Sequence, residues 1–265
     1  MTRLKLTLLI ALLLSCHAAA NAEIRLPSII SDGAVLQREV PIRIWGWADP
    51  SEKFEVDWKK KTYHVQADPD GSWEIQFPAA KAGGPYMLRV GDVVLKDILI
   101  GDVFLCSGQS NMELPVRRVT DMFADEIAGY SNSEIRQLIV PKEYDFNSPQ
   151  DDLSPCSWKP CTQEHVMEFS ALAYFFAKEL YAKTGVPVGI VNASWGGTPV
   201  EAWMSEESLK DFPEYINIKS LSIKELKYKL LSKGIKSSII EDYILQNKEI
   251  LNEYEEKSAM KVVFK

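Results

Sequence analysis

The strongest constraint on the fold is an apolar run that ends all at once. From Ile98 to Cys106 the chain is rich in branched and aromatic residues and is broken only by Gly101-Asp102, the pattern of a short buried strand. Ser107-Gly108-Gln109-Ser110-Asn111 follows, and every residue there is small or hydrogen-bonding. Such a change marks a chain leaving a sheet edge. A serine on a tight strand-to-helix turn is held clear of the sheet, and neighbouring N–H groups can face a developing oxyanion. A second reading stands beside it. Ser110 to Glu113 fits a capping box, with Ser110 as N-cap and Glu113 at N3. Pro115 opposes a regular helix there, because an interior proline removes a donor and clashes with the preceding turn.

The clearest helix spans Ser170 to Lys183, with Ala171, Tyr174, Phe175, Ala177, Leu180 and Tyr181 on one broad face. Thr184-Gly185 and Pro187 end it. A strand follows from Val186 to Asn192, and then Ala193-Ser194-Trp195-Gly196-Gly197-Thr198. Helix then strand is the crossover unit of a parallel sheet, in which ligands sit beyond the strand C-termini. Both the Gly108-Gln109-Ser110 turn and the Gly196-Gly197 pair fall at such ends. The two glycines would let backbone amides approach a substrate without Cβ interference; taken alone they also fit a tight turn. Between these blocks the pattern predicts a helix around Asp121 to Ala128, a strand from Ile135 to Val140, and a long polar loop from Glu143 to Pro160.

Upstream, from Ile24 to about Ile100, the chain reads as all-β. Alternating stretches at 42–47, 54–58, 63–67, 72–77 and 86–90 are separated by turn signals at Asp49-Pro50-Ser51, Asp68-Pro69-Asp70-Gly71 and Ala82-Gly83-Gly84-Pro85. Strands at such intervals predict a small β-sandwich. Trp45, Trp47, Trp58 and Trp73 are expected in its core rather than against a sugar, given the area each indole buries.

Three ordered blocks carry a family resemblance. Cys106-Ser107-Gly108-Gln109-Ser110-Asn111-Met112, Phe169 to Phe176, and Asn192 to Trp203 resemble the sialate O-acetylesterases, a branch of the SGNH hydrolases, and the β-rich segment resembles the domain that precedes the catalytic one in that family. The resemblance covers about residues 24 to 212. It implies a flavodoxin-like α/β domain and hydrolysis of O-acetyl esters of sialic acid or related sugars. Ser110 would be the nucleophile, with Gly108, Gln109, Asn111, Gly196 and Gly197 forming the oxyanion and substrate-binding surroundings, and with the amides of Ser110 and Gly197 assisting the oxyanion.

The family's Asp-x-x-His and Gln-Gly-Glu blocks have no counterpart here. The chain holds three histidines, His17, His64 and His165, whereas a serine nucleophile needs an oriented base. Little or no turnover is therefore expected; His165 is the one candidate substitute base. A protein that binds acetylated sugar without cleaving it is the alternative.

Composition changes after Pro213: proline and tryptophan disappear, the last arginine is Arg136, and lysine and isoleucine become dense. Ser222 to Leu231 and Ile239 to Leu251 read as amphipathic helices split by Lys233-Gly234. The tail, about 215–265, resembles part of a RecX-type recombinase regulator, which implies a recombinase-interacting module, a role the export signal opposes. The expectation is that the esterase sequence is interrupted near Phe212 and continues in unrelated sequence.

At the other end, Arg3 and Lys5 precede the apolar run Leu6 to Leu14, and Ala20-Asn21-Ala22 supplies a small-residue cleavage site, so the mature protein is expected to be exported, periplasmic or secreted. Acylation of Cys16 as a lipoprotein is the other reading of that leader, and the one in which the mature form meets a membrane. Cys156 and Cys161 are spaced for a small loop disulfide or remain as two thiols. No Cys/His cluster suits a metal and no cofactor is implied. The net charge of −7 gives no footprint for nucleic acid. The expected organisation is mixed: a signal peptide at 1–22, an N-terminal all-β sandwich at 23–100, an incomplete SGNH α/β domain at 101–213 and a short helical tail at 214–265.

Overall fold

The computed structural model describes residues 24–143, 150–198, 200–212, 230–231, 234 and 236–246. The leader, most of the first tail helix, and the second tail helix beyond Gln246 lie outside the described residues.

The strands are β1 (Val35–Gln37), β2 (Ile42–Trp47), β3 (Lys53–Trp58), β4 (Lys61–Gln66), β5 (Ser72–Phe77), β6 (Gly83–Val90), β7 (Val93–Gly108), β8 (Asn132–Ile139), β9 (Trp158–Cys161) and β10 (Val188–Ser194). The helices are α1 (Ser110–Glu113), α2 (Ala124–Ile127), α3 (Ala171–Thr184), α4 (Glu206–Leu209) and α5 (Ser237–Gln246). Most strands join one mixed sheet of order β4-β3-β6-β7-β10-β8-β9, with β1 added beside β7, while β2 and β5 form a separate antiparallel pair.

β7 unites the molecule. Its first half pairs antiparallel with β6, and its second half pairs parallel with β10, from Val188 opposite Asp102 to Ser194 opposite Gly108. The Gly101-Asp102 interruption and the expected boundary at residue 100 both lie inside this single 16-residue strand. Gly101 keeps the strand continuous because a Cβ there would run into the backbone of Pro187. Asp102 is held by Arg38 at 2.7 Å.

In the β-rich part, β2–β5 packs against β3, β4 and β6 through aromatic rings. Trp58 stacks on Phe77 at 5.5 Å and Phe54 meets Trp73 edge-on at 5.2 Å. Trp58 and Trp73 are buried, whereas Trp45 and Trp47 are only partly so. Arg25 lies 3.7 Å over the Trp47 ring and Arg43 5.5 Å over that of Trp45. The expected turn at Gly83-Gly84-Pro85 is instead the start of β6, with Gly83 opposite Ile100 and an irregular register. A Cβ on Gly84 would come within 2.7 Å of Leu99 Cδ2, so this glycine serves close strand approach.

The parallel part has β10 between β7 and β8. Ile135, Val188 and Ile190 pack under α3 with Ala173, Tyr174 and Ala177, while Leu138 and Val191 join the core of the β-rich side. β10 is covered on both faces, as a central parallel strand must be. Helix α3 starts where Ser170 Oγ accepts from Ala173 N and ends at Gly185, whose φ of 63° is the left-handed cap position. The helix expected near Asp121–Ala128 shortens to α2, and the polar loop after Glu143 contains β9, antiparallel to β8 at the sheet edge.

Candidate active site

Three neighbouring parallel strands end on the same side of the sheet. Trp195 N donates to Gly108 O and Val140 N to Asn192 O, both at 2.9 Å, so the chain leaves β7, β8 and β10 in step. Ser110, Lys142 and Gly196 lie just beyond those three ends. They line one cleft of about 570 Å³, together with Glu113, Arg117, Arg118, Glu168, Asn192, Ser194 and Lys236.

The serine turn is built by its neighbours. Gly108 has φ 135°, a conformation that disfavours any side chain, and it swings the chain out of β7. Gln109 is the N-cap of α1: its Oε1 accepts from Ser110 N at 3.0 Å and from Ser110 Oγ at 2.5 Å. Ser110 is therefore the first helical residue and is exposed. The capping-box reading is corrected here, because the Glu113 carboxylate finds an ammonium and a backbone N–H elsewhere. Helix α1 stops at Leu114, which is extended as the following Pro115 requires.

Glu113 accepts from Gly196 N and from Lys142 Nζ. Partial burial works to raise the pKa of Glu113, but the Lys142 and Gly196 hydrogen bonds and the charges of Lys142 and Lys236 outweigh it and hold the carboxyl below its ordinary range. A Cβ on Gly196 would run into the Glu113 carboxylate and lie 3.7 Å from Ser110 Cα. Glycine is thus required where the β10 loop meets the serine turn. Gly197, at φ 87°, lies away from the cleft lining, and a Cβ there would meet Lys236 Cδ and Ile239 Cδ1 at 3.2 Å. Asn111 is exposed on α1 and also lies outside the lining. The structure thus brings Ser110 and Gly196 together, sets Gly108 and Gln109 under the serine, and leaves Asn111 and Gly197 at the margin.

Below the cleft runs a polar floor that sequence reasoning missed. Ser194 Oγ donates to Asn192 Oδ1 at 2.6 Å, and Asn192 Nδ2 reaches Gln137 Oε1 at 3.5 Å. The same Gln137 oxygen accepts from Ser170 N at 3.0 Å, and Gln137 Nε2 reaches Glu168 O at 3.4 Å. The available signal was the presence of Gln137, Asn192 and Ser194 inside otherwise apolar strands. The rim is cationic: Arg117 pairs with Glu168 and Lys142 with Glu113, while Arg118 and Lys236 add further positive charge.

Neither described histidine lines the cleft. His64 sits on the exposed strand β4, and His165 Nδ1 lies 3.1 Å from Thr162 Oγ1. Cys106, Cys156 and Cys161 are free thiols, so the loop disulfide does not form. Burial pushes the Cys161 thiol up to about 12.

Against known proteins, residues 100–232 match the family described as carbohydrate esterase, sialic acid-specific acetylesterase, a match that runs past Pro213. The sialate O-acetylesterases of Pongo abelii and Homo sapiens are each 31% identical over 229 residues, covering 78% of this chain and 44% of theirs. A solved carbohydrate acetylesterase from Xanthomonas citri is 45% identical with a TM-score of 0.68, over 72% of this chain and 44% of that one. The chain spans less than half the length of these relatives. With a strand-end serine turn, a glycine loop beside it, and a family match over half its length, the chain belongs to the sialic acid-specific acetylesterase family of carbohydrate esterases.

Proposed function

We propose that Ser110 is the nucleophile of a carbohydrate O-acetylesterase site acting on acetylated sialic acid or a related O-acetylated sugar. The observation that carries this is an exposed serine at the C-terminal end of a parallel strand, inside a cleft that a glycine loop lines beside it. Oγ attacks the acetyl carbonyl, the sugar oxygen leaves with a proton, and water then frees acetate from the acetyl-enzyme. In the resting arrangement Ser110 N–H and O–H are both engaged by Gln109, so that side chain turns aside for attack. Gly108 and Gln109 set the turn, Asn111 supports it from the margin, and Gly196 brings the second loop close, whereas Gly197, expected to lend its amide to the oxyanion, lies away from the cleft lining.

The attack also needs an acceptor for the Oγ proton. Among the described residues lining the cleft there is no histidine, which supports weak turnover for this chain. The same observation favours a second reading, in which the cleft retains acetylated sugar without cleaving it. The leader supports export to the periplasm or medium; the compositional change after Pro213 supports a tail of separate origin, against which the family match runs on to residue 232.

The test is acetate release from 4-nitrophenyl acetate and from an O-acetylated sialic acid, by wild type and Ser110→Ala. Slow release that disappears in the variant is expected. Equal rates in the two proteins would remove Ser110 from the chemistry, and fast Ser110-dependent release would mean a base is present. Saturable sugar binding with no acetate release selects the second reading.

A further inference from the structure

Three loops must hold a fixed relation for the cleft to exist: the turn after β7 with Ser110, the segment after β8 with Lys142, and the loop after β10 with Gly196. Backbone bonds tie the strands themselves in register, but the sheet ladder ends at Gly108, Ile139 and Ser194. Beyond those ends, one side chain spans all three. Glu113, on the same short helix as Ser110, accepts from the Gly196 amide with one carboxylate oxygen and from Lys142 Nζ with the other. Its partners lie 83 and 29 residues away in sequence. The missing Cβ of Gly196 leaves the space this carboxylate fills.

We propose that Glu113 is a positioning residue that staples the nucleophile turn to the loops following the two adjacent strands, with the Gly196 N–H serving as its anchor rather than as an oxyanion donor. The staple rests on the Ser110 reading only for its functional consequence; the connection itself is independent of it. Charge-assisted hydrogen bonds of this kind are among the stronger ones, and a carboxylate with two oxygens can hold two segments at once. Removing it frees the Gly196 loop to move against Ser110, which lowers the rate of attack more than it weakens substrate binding.

The test compares full-length wild type, Glu113→Ala, Glu113→Gln and Lys142→Met. In Glu113→Ala the Gly196 amide should exchange with solvent about tenfold faster or more, while Glu113→Gln, which keeps an acceptor oxygen, stays near wild type. Unchanged exchange at Gly196 in Glu113→Ala overturns the proposal. Lys142, Lys236, Arg117, Arg118 and Glu168 also face this cleft, so a pH titration of the Gly196 amide resonance separates them. The wild-type resonance should move with the carboxylate and be flat in Glu113→Gln; a titration that persists in Glu113→Gln reports Glu168 and counts against the staple. Where Ser110-dependent ester hydrolysis is measurable, Glu113→Ala should lower kcat about tenfold with KM nearly unchanged, and Glu113→Gln should recover most of it. Lys142→Met should fall between the two. A loss confined to KM, or no rescue by Gln, overturns the positioning role. If wild type and Ser110→Ala hydrolyse equally, it is the nucleophile reading that fails, and the Gly196 measurements still decide the staple.

Discussion

Replacing Gln137 by methionine tests whether the polar floor organises the site. Gln137 is 1% exposed, and methionine matches its length without its amide. The substitution leaves Ser170 N, a buried donor at the entrance to α3, without its 3.0 Å acceptor. Orphaning a buried donor costs about 1–3 kcal/mol. The Asn192 and Glu168 partners, at 3.5 and 3.4 Å, sit at the outer limit of hydrogen bonding and add only fractions. Against this, methionine no longer desolvates an amide of its own. The net expectation is about 2 kcal/mol of destabilisation, or roughly 4–8 °C in Tm for a domain of this size. The effect should also reach the serine turn. Ala171 N donates to Leu114 O at 2.8 Å and Val116 N to Phe169 O at 2.9 Å, so a loosened Ser170 loosens the residue that ends α1. Urea unfolding of wild type and Gln137→Met should show a lower midpoint at constant slope, with faster amide exchange at Ser170. A midpoint within error of wild type, or a loss of stability with Ser170 still protected, refutes the reasoning.

Four further outcomes are expected. Arg136→Met should cost about 1–3 kcal/mol by denaturant unfolding, because the buried guanidinium bonds Gly33 O, Ser133 O and Asp97 at once, although Ser133 and Asp97 are exposed and turn to water when it is lost. Gly189→Ala should cost about 1–3 kcal/mol, since its Cβ would meet Val35 Cβ at 2.7 Å, and adding Val35→Gly, which removes that atom, should show a favourable coupling in a double-mutant cycle. The Glu113 carboxyl is held below its ordinary range, so the stability it lends is present above about pH 4.3 and is lost as pH falls through the depressed folded value; the gap between wild type and Glu113→Gln in urea midpoints should close on that acid side. With iodoacetamide at pH 8, half-buried Cys156 should alkylate first, whereas buried Cys106 and Cys161 should wait for unfolding, as peptide mass mapping will show.

What could be read ahead of the structure was whatever the chain encodes locally. Helix α3 carries its own start and stop in Ser170 and Gly185, so its limits differ from the expected ones by a single residue. The serine turn was legible because an apolar strand gives way at once to small polar residues, although β7 runs two residues further than the apolar pattern. Gly71 and Gly185 turn or end the chain as read, but two other glycine readings failed. Gly83-Gly84 and Gly101 lie inside strands, and at Gly84 and Gly101 the missing side chain makes room for Leu99 on the neighbouring strand and for Pro187 just ahead of β10. No local pattern separates a glycine that turns the chain from one that admits a neighbour.

The same limit governs the site, and it explains which half of it was missed. Ser110 and Gly196 announce themselves by residue type and immediate context, because the proposed nucleophile and a close approach each need a particular chemistry at one position. Glu113 has no such signature: three residues after a serine, a glutamate reads as a cap, and the cap was the cheaper local solution. It is overruled by partners that arrive from the ends of two other strands, an ammonium and a backbone amide, which together bind a carboxylate more strongly than a single N–H at the helix start. Gln137, Asn192 and Ser194 follow the same logic, since a polar residue within a strand points to solvent by default and is revealed as buried only when α3 covers that face. Local chemistry therefore names the group proposed to react, and long-range topology names the groups that hold it. A serine turn of this kind, moved to a sheet without the strand order β7-β10-β8, would keep Ser110 and lose everything that aims it.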